Sequence, residues 1–293
     1  MNYQLKKTIY PLYHFLNSLC EPVSKLIYNY RNVPHSIGYI PSKWQYIDKS
    51  INNTELLSEF QNKKIPPKFG IGIDERCVEY SWLFANFSED SQLILDAGST
   101  FNFKQLVNHS YFKNRKLHIY TFYPEFINFS KEYLKYDYGD LRSMKYEDNT
   151  FDQVISQSTI EHIDMDNSIY GYELSKNEDS QQRSYEYLKA ISEYVRVLKS
   201  SGQMLLTFPY GKFENHSFFQ QFDSTMVNEI QKLLKDLGIL EIEYIKYTQN
   251  GWTFAPMSEC NDLMSYNPHT GNGIGDDGAA HSRCVCCLKW KKS

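Results

Sequence analysis

The stretch Leu93-Ile-Leu-Asp-Ala-Gly-Ser-Thr100 decides the fold of this 293-residue chain. A short apolar run leads into one acidic residue, Asp96, and then into Gly98. In α/β domains this pattern predicts a buried first strand that ends in a tight turn beside a ligand site. Gly98 can adopt positive φ and lets a ligand approach the backbone, while Asp96 places a carboxylate at the end of the strand.

Composition excludes some functions. A hydrophobic fraction of 41% allows a sizeable core, and 293 residues suffice for one large domain or a domain with an accessory segment. The net charge is −4, the pI is near 6.1, and the densest basic run is the short tail Leu288–Ser293. We therefore expect no nucleic-acid partner.

The six cysteines lack the density of a disulfide framework, which favours a reducing, cytoplasmic location. Cys284-Val-Cys286-Cys287 lies in an apolar run without a second Cys/His pair, so we interpret it as part of a buried strand. Asp276 and Asp277 with a histidine could hold a divalent cation, but a solvated turn is the preferred interpretation. No metal site is predicted.

The N-terminal part is predicted to differ from the rest. Residues 1–70 form an extension without a core of their own, and residues 71–293 form an α/β domain. Within the extension, Tyr10–Tyr30 is predicted to be helical and Asn32–Lys68 loop-rich, with a helical turn or two around Thr54–Phe60. No signal peptide or membrane-spanning segment is predicted. Aromatic and leucine residues near the start are compatible with peripheral membrane contact, but the preferred interpretation is that this segment packs onto the main domain.

Further elements follow at regular spacing. Strands are predicted after the first one at Lys116–Phe122, Glu132–Tyr138, Phe151–Ser156, Met204–Phe208, Leu240–Tyr247 and Arg283–Trp290. Helices are predicted at Asp74–Phe87, Phe103–Asn108, Pro124–Lys131, Asp179–Ser200 and Asp223–Leu237, with Gly202 and Gly238 closing the last two. This order predicts a three-layer α/β sandwich around a seven-stranded, mostly parallel sheet.

Three stretches in this order carry a resemblance to a known family: Leu93–Gly98, Gly139–Ser156 and Tyr194–Pro209. Over roughly residues 75–210 the chain resembles the class I S-adenosylmethionine-dependent methyltransferases, in particular their type 11-like branch. A glycine turn alone is common in wound folds, but three motifs in order are more specific. The resemblance implies a Rossmann-like fold with a reversed last strand, methyl transfer as the activity, and S-adenosylmethionine as the cofactor.

The resemblance also implies roles for individual residues. The turn with Asp96, Gly98 and Ser99 would hold the methionine end of the cofactor, and Asp140 with the Leu141 backbone would face the adenine. Gln157 and Ser158 would border the methyl group. Thr121 stands where the family has a ribose-binding acid, with Glu125 the nearest carboxylate, and Thr100 and Asn102 replace further glycines.

The acceptor side is predicted from position along the chain. His162 follows the fourth strand and is the candidate base, although it could instead pack against the following segment. Connections at the same sheet edge supply the candidate substrate-binding residues Tyr210, His216, Gln220, Gln221, Trp252 and His281. The predicted reaction is O-methylation of a small molecule or a surface-glycan sugar, which suggests polysaccharide biosynthesis.

Two other interpretations remain open. Because the glycine turn is degenerate and the ribose acid is missing, the chain could be a catalytically inactive methyltransferase-like binding or scaffold subunit. An NAD-dependent oxidoreductase is less favoured, since the turn lacks the dinucleotide fingerprint. The sequence alone leaves the oligomeric state open.

Overall fold

The computed structural model describes residues 20–125, 127–170, 182–267 and 270–293. Residues 10–19 of the predicted N-terminal helical region lie outside these ranges. So do residues 179–181 of the helix predicted at Asp179–Ser200.

A central sheet of eight strands forms the middle layer, with the order β3-β2-β1-β4-β5-β10-β8-β9. The strands are β1 Leu93–Ala97, β2 Lys116–Thr121, β3 Leu134–Tyr138, β4 Phe151–Gln157, β5 Leu198–Pro209, β6 Glu214–Asn215, β7 Gln220–Gln221, β8 Gly238–Thr248, β9 Gly251–Ala255 and β10 Cys284–Lys292. β6 and β7 form a separate two-stranded ribbon. Strands β1 to β5 pair in parallel, and β10 runs antiparallel between β5 and β8. The reversed last strand is thus confirmed.

The predicted count of seven strands is wrong by one, because β9 pairs with β8 as a hairpin. This segment lies in the connection between the strands predicted at Leu240–Tyr247 and Arg283–Trp290. Thr248 and Gly251 close the hairpin around a two-residue turn, and Gly251 has φ of +91°. A Cβ on Gly251 would lie 2.3 Å from the Phe69 carbonyl oxygen, so this close approach requires glycine.

Helices cover both faces of the sheet. They are α1 over residues 20–31, α2 Tyr39–Ile51, α3 Thr54–Gln61, α4 Arg76–Asn86, α5 Lys104–Val107, α6 Tyr187–Val197 and α7 Ser224–Leu234. Within the described chain, no helix is both long enough and apolar enough to cross a bilayer.

The helix predicted at Pro124–Lys131 is wrong, since the described residues of this segment are irregular. Side chains satisfy its backbone groups instead. The Asn102 Nδ2 group donates to the Ile127 carbonyl at 2.7 Å, and the Tyr136 hydroxyl accepts from the Phe129 amide at 2.9 Å. Local helix propensity therefore gives way to tertiary hydrogen bonds.

Two other boundaries differ from the prediction. Helix α6 ends at Val197 and the chain enters β5 at Leu198, so Gly202 lies inside a strand and does not cap the helix. Helix α2 was predicted as loop because Pro41 was interpreted as a breaker. Pro41 is the third residue of α2, where proline fits because a first-turn amide needs no intrahelical acceptor.

The core is divided by the sheet into two apolar clusters. One joins α2, α3 and α4 to one face and includes Ile47, Phe60, Trp82 and Ile94. The other joins α6 and α7 to the opposite face, where Leu95 points. The cysteines of β10 follow the same alternation, with Cys284 and Cys286 in the second cluster and Cys287 in the first. This division establishes the three-layer sandwich.

Replacing Ile47 by alanine should lower the free energy of unfolding by about 2–4 kcal/mol, because it leaves a cavity between α2 and the main core. Urea denaturation followed by circular dichroism measures the change. Ile40→Ala in the same helix is the matched control: Ile40 is 55% exposed, so its loss should be about 0.5 kcal/mol or less. Equal losses in both variants would contradict a shared core.

Candidate active site

A cleft of about 380 Å³ lies at the carboxyl ends of β1 to β4. The turn after β1 contributes Gly98, Ser99 and Thr100, and the segment after β3 contributes Gly139–Arg142. Helix α2 closes the opposite side with Lys43 and Trp44. Since parallel sheets bind ligands at this edge, the cleft is the candidate active site.

The turn after β1 is held from below by Asp96, which is fully buried. Its carboxylate accepts hydrogen bonds from the Thr100 amide and hydroxyl, both at 3.2 Å, and from the Phe101 amide at 2.8 Å. Burial raises the pKa of Asp96 to about 7. Gly98 has φ of +134° and Ser99 of +60°. Asp96 therefore fixes the turn and does not line the cleft.

Asn102 links this turn to the segment after β2. Its Nδ2 group donates to the Glu125 carboxylate at 2.6 Å, and its Oδ1 accepts from the Tyr136 hydroxyl at 2.9 Å. Glu125 lines the cleft beside Thr121, the last residue of β2. The Glu125 carboxylate is thus present near the end of β2. Asn102, which replaces a glycine of the family pattern, holds it in place.

Asp140, just after β3, is bound by a guanidinium. Arg142 donates from Nη2 to the Asp140 carboxylate at 2.7 Å and from Nε to both of its oxygens at 3.1 Å. The Arg142 amide adds a fourth contact at 2.8 Å. Although burial alone would raise it, these contacts with Arg142 hold the pKa of Asp140 below its usual range. Asp140 is therefore ionised at neutral pH and lines the cleft.

A buried carboxylate behind the cleft, Glu79 of α4, joins four side chains. Its Oε1 accepts from the hydroxyls of Ser158 at 2.6 Å and Thr207 at 2.7 Å. Its Oε2 accepts from Gln157 Nε2 and Arg76 Nη1, both at 3.2 Å. Helix α4 is thereby tied to the ends of β4 and β5, which fixes Ser158 at the cleft wall.

Arg76, the first residue of α4, also lines the cleft. Among the described residues, the Arg76 guanidinium donates a hydrogen bond only from Nη1, to Glu79. Its remaining N–H groups are therefore available to a ligand. Lys43 brings a second cation to the same wall and donates to Asp74 at 2.8 Å. This side of the cleft is suited to a carboxylate or another anionic group.

His162 lies at the cleft with Nδ1 2.7 Å from the Phe218 carbonyl oxygen. Burial lowers the pKa of His162 to about 4, so the imidazole is neutral at pH 7. Because a carbonyl only accepts, Nδ1 carries the proton and Nε2 is the basic atom. The neighbouring Glu161 is buried, its Oε2 has no hydrogen-bond partner among the described residues, and burial raises its pKa well above the usual range.

The structure brings many of the predicted residues to this cleft. Seven of them line it: Gly98, Ser99, Thr121, Asp140, Leu141, Ser158 and His162. Asp96 and Gln157 lie beneath the surface of the cleft, where they support the turn and contact Glu79.

The six candidate substrate-binding residues lie outside the lining and have contacts within the protein. Tyr210 donates to Asn261, Gln220 bonds the backbone of Ser184, Gln221 donates to the carbonyls of Lys212 and Leu263, Trp252 donates to the Ile73 carbonyl, His281 contacts Glu75, and His216 stacks on Phe219. Their sequence positions lie near the correct edge, but their side chains turn into the structure. These six residues are therefore not part of the acceptor site proposed for this cleft.

The cleft wall formed by α2 and α4 was not predicted from the sequence; it consists of Lys43, Trp44, Arg76 and Tyr80. For α4, the sequence contained one signal of this position. A helix that precedes the first strand begins at the edge where that strand ends, so a basic residue in its first turn, such as Arg76, should face the ligand site. For α2 no comparable signal exists, because its position follows from tertiary packing.

Comparison with known families agrees with this geometry. Residues 97–206 match the family model described as a methyltransferase domain. This segment is a class I methyltransferase domain of the type 11 branch. The chain accordingly carries a methyltransferase domain, whose cofactor is S-adenosylmethionine.

No curated protein is significantly similar to this chain. Among solved structures, a methyltransferase dependent on S-adenosylmethionine from Methanosarcina mazei is 12% identical, with 70% of this chain and 94% of that chain covered and a TM-score of 0.40. The 1,6-didemethyltoxoflavin-N1-methyltransferase of Burkholderia thailandensis, solved with S-adenosylhomocysteine, is 10% identical, with 69% and 71% covered and a TM-score of 0.38. Neither comparison assigns an acceptor to this chain.

The two partly buried histidines at and near the cleft, His162 and His281, should differ in charge at pH 6.5. Burial keeps His162 neutral, whereas the Glu75 carboxylate raises the pKa of His281 despite its burial. Heteronuclear NMR of histidine-labelled protein, assigned with His162→Gln and His281→Gln, should show a neutral Nδ1-protonated ring for His162 and a charged ring for His281. If both rings titrated together near their ordinary pKa of about 6.5, this electrostatic description would be wrong.

Proposed function

We propose that the enzyme transfers a methyl group from S-adenosylmethionine to a hydroxyl oxygen of a small molecule or a surface-glycan sugar. The observation that carries the proposal is the position of His162. It is a neutral imidazole at the cleft, oriented by the Phe218 carbonyl so that Nε2 is its proton-accepting atom.

Features of the cleft are compatible with the cofactor. Two buried hydroxyls, Ser99 Oγ and Tyr120 Oη, have no hydrogen-bond partner among the described residues. Ser99 lines the cleft, and Tyr120 lies directly behind Gly139, where a Cβ would approach its hydroxyl to 2.4 Å. Buried hydroxyls without partners are uncommon in finished sites, so a bound polar group would satisfy them.

Specific parts of the cofactor can then be assigned to residues. Asp140 and the Leu141 backbone would face the adenine, Glu125 and Thr121 would take the ribose hydroxyls, and the Arg76 guanidinium would bind the methionine carboxylate. The turn of Gly98 and Ser99 would cradle the methionine chain. When bound, the cofactor supplies an electrophilic methyl group on a sulfonium.

The protein's part in the reaction is alignment and proton transfer. His162 Nε2 would accept the proton of the acceptor hydroxyl, and Nδ1–H remains donated to Phe218. With a pKa of about 4, this imidazole is a weak base. The proton should therefore move together with methyl transfer, since full ionisation of an alcohol beforehand would be too costly.

The lining of the cleft also has a composition suited to a saccharide. The Trp44 ring lies 4.3 Å from Phe103 and 5.9 Å from Tyr80 between centroids, and all three line the cleft. Asp164 and Asn167 add polar groups to the lining. Aromatic faces beside polar side chains bind the mixed surface of a sugar. On this basis we place the enzyme in cytoplasmic steps of polysaccharide biosynthesis.

Asp140→Ala should weaken binding of S-adenosylhomocysteine about 10-fold or more, since it removes a hydrogen bond to a charged acceptor worth about 1.5 kcal/mol or more. Isothermal titration calorimetry measures the affinity. Asp277→Ala is the matched control, because Asp277 accepts from Arg283 Nε and Nη2 in the same way and has similar exposure away from the cleft. Equal affinities in the wild type and Asp140→Ala would remove Asp140 from the site.

His162→Ala should lower kcat about 100-fold while leaving the affinity for S-adenosylhomocysteine nearly unchanged, because it removes the general base. Turnover is measured as transfer of labelled methyl from S-adenosylmethionine to a panel of sugars, nucleotide sugars and phenols. The wild-type rate should fall as the pH drops through about 4 and not near 6.5, since only protonation of His162 removes its basic atom.

His216→Gln serves as the control for this variant, because His216 lies on the next loop but outside the cleft lining. It should retain the wild-type rate. A fully active His162→Ala variant would make His162 structural, and a wild type that binds cofactor but methylates none of the hydroxyl acceptors would contradict O-methylation of these classes.

A further inference from the structure

Helix α1 carries an apolar stripe that faces solvent. Val23, Leu26, Ile27 and Tyr30 recur at positions i, i+3, i+4 and i+7, which is one face of a helix. Their exposures are 61%, 70%, 39% and 94%. In a helix of a globular protein this face normally packs against the core, so its outward direction requires another explanation.

The stripe is held in this direction by contacts on the other face of α1. Tyr28 is 2% exposed, and its hydroxyl donates to the Gly72 carbonyl at 2.9 Å. Gly38, just before α2, touches the backbone of Ser24 so closely that a Cβ would lie 1.9 Å from its carbonyl oxygen. The apolar surface continues along the chain with Ile37 at 70% exposure.

Charge distinguishes this region from the remainder of the protein. Residues 1–40 contain four basic side chains, Lys6, Lys7, Lys25 and Arg31, against the single acid Glu21, a net charge of +3. The whole chain carries −4, which leaves −7 for residues 41–293. Glu21 and Lys25 form an ion pair at 2.6 Å, so the excess positive charge of the segment comes from Lys6, Lys7 and Arg31. An acidic protein thus presents the exposed apolar face of α1 within a basic segment of its sequence.

We propose that this face of α1 docks on the surface of an anionic lipid bilayer. An apolar stripe flanked by basic residues is the arrangement by which interfacial helices bind such membranes, with apolar side chains in the headgroup region and cations near the phosphates. A second copy of the chain fits less well, because two basic segments would face each other. This inference goes beyond the proposed methyl transfer and does not depend on it.

Docking would also orient the cleft. The contact between Ser24 and Gly38 joins α1 to the start of α2, and α2 contributes Lys43 and Trp44 to the cleft wall. A lipid surface beneath α1 would therefore lie next to the helix that forms one wall of the cleft.

Vesicle flotation of the full-length protein tests the proposal. Vesicles of phosphatidylcholine with 30% phosphatidylglycerol, a roughly physiological anionic content, should retain the protein, whereas pure phosphatidylcholine vesicles should retain little. Raising the salt from about 0.1 M to about 0.5 M should reduce binding, since screening shortens the reach of the charges. The double variant Leu26→Glu with Tyr30→Glu should lower the ratio of bound to free protein about 10-fold or more.

Ile239→Glu provides the matched control, because Ile239 on β8 is as exposed as Leu26, at 70%. It should bind vesicles like the wild type. All three substituted side chains are exposed, and circular dichroism checks that the variants remain folded. Failure of the wild type to bind anionic vesicles, or equal binding by the double variant, would overturn the proposal. So would a wild-type dimer in light scattering that the double variant converts to a monomer, because α1 would then be a protein interface.

Discussion

The architecture of the site depends on one buried carboxylate. Glu79 is fully enclosed, and its charge is tolerated because Ser158, Thr207, Gln157 and Arg76 all donate to it. These donors come from the ends of β4 and β5 and from α4, so one acid locks the helix before the first strand to the edge where the ligand binds. Removing one partner of a buried ionic network typically costs about 3–5 kcal/mol, which makes this contact a stringent constraint on the rest of the fold.

The fold was predictable because its signals are local. Apolar runs mark each strand of the parallel half, and the strand segments at Leu93, Lys116 and Phe151 begin where predicted. The errors arose where tertiary contacts override local preference. The segment at Pro124–Lys131 is irregular because side chains satisfy its backbone, and β9 exists because a hairpin with β8 pairs it. Neither partner can be identified from the sequence of the segment itself.

The same contrast between local sequence signals and tertiary contacts applies to the candidate site. Gly98, Asp140 and His162 meet at one cleft because parallel strands end at one edge of the sheet. The candidate acceptor residues lie outside the lining of this cleft, since the direction of a loop side chain depends on contacts far away in the chain. Asn102 stands where the family pattern has a glycine. Its side chain holds Glu125, which supplies a carboxylate near the end of β2.

The pairing of β10 with β5 has a further consequence. Along Val285–Lys291 the last strand pairs with residues Gln203–Pro209 of β5, and β8 then pairs with β10. The segment that matches the family model ends at residue 206, within β5. Cut there, it would expose a long unpaired strand edge and lose both Glu79 and Thr207, so it would be prone to aggregation. The matched segment is thus smaller than the unit whose contacts hold the site together, because it lacks β10 and the carboxylate that joins α4 to β4 and β5.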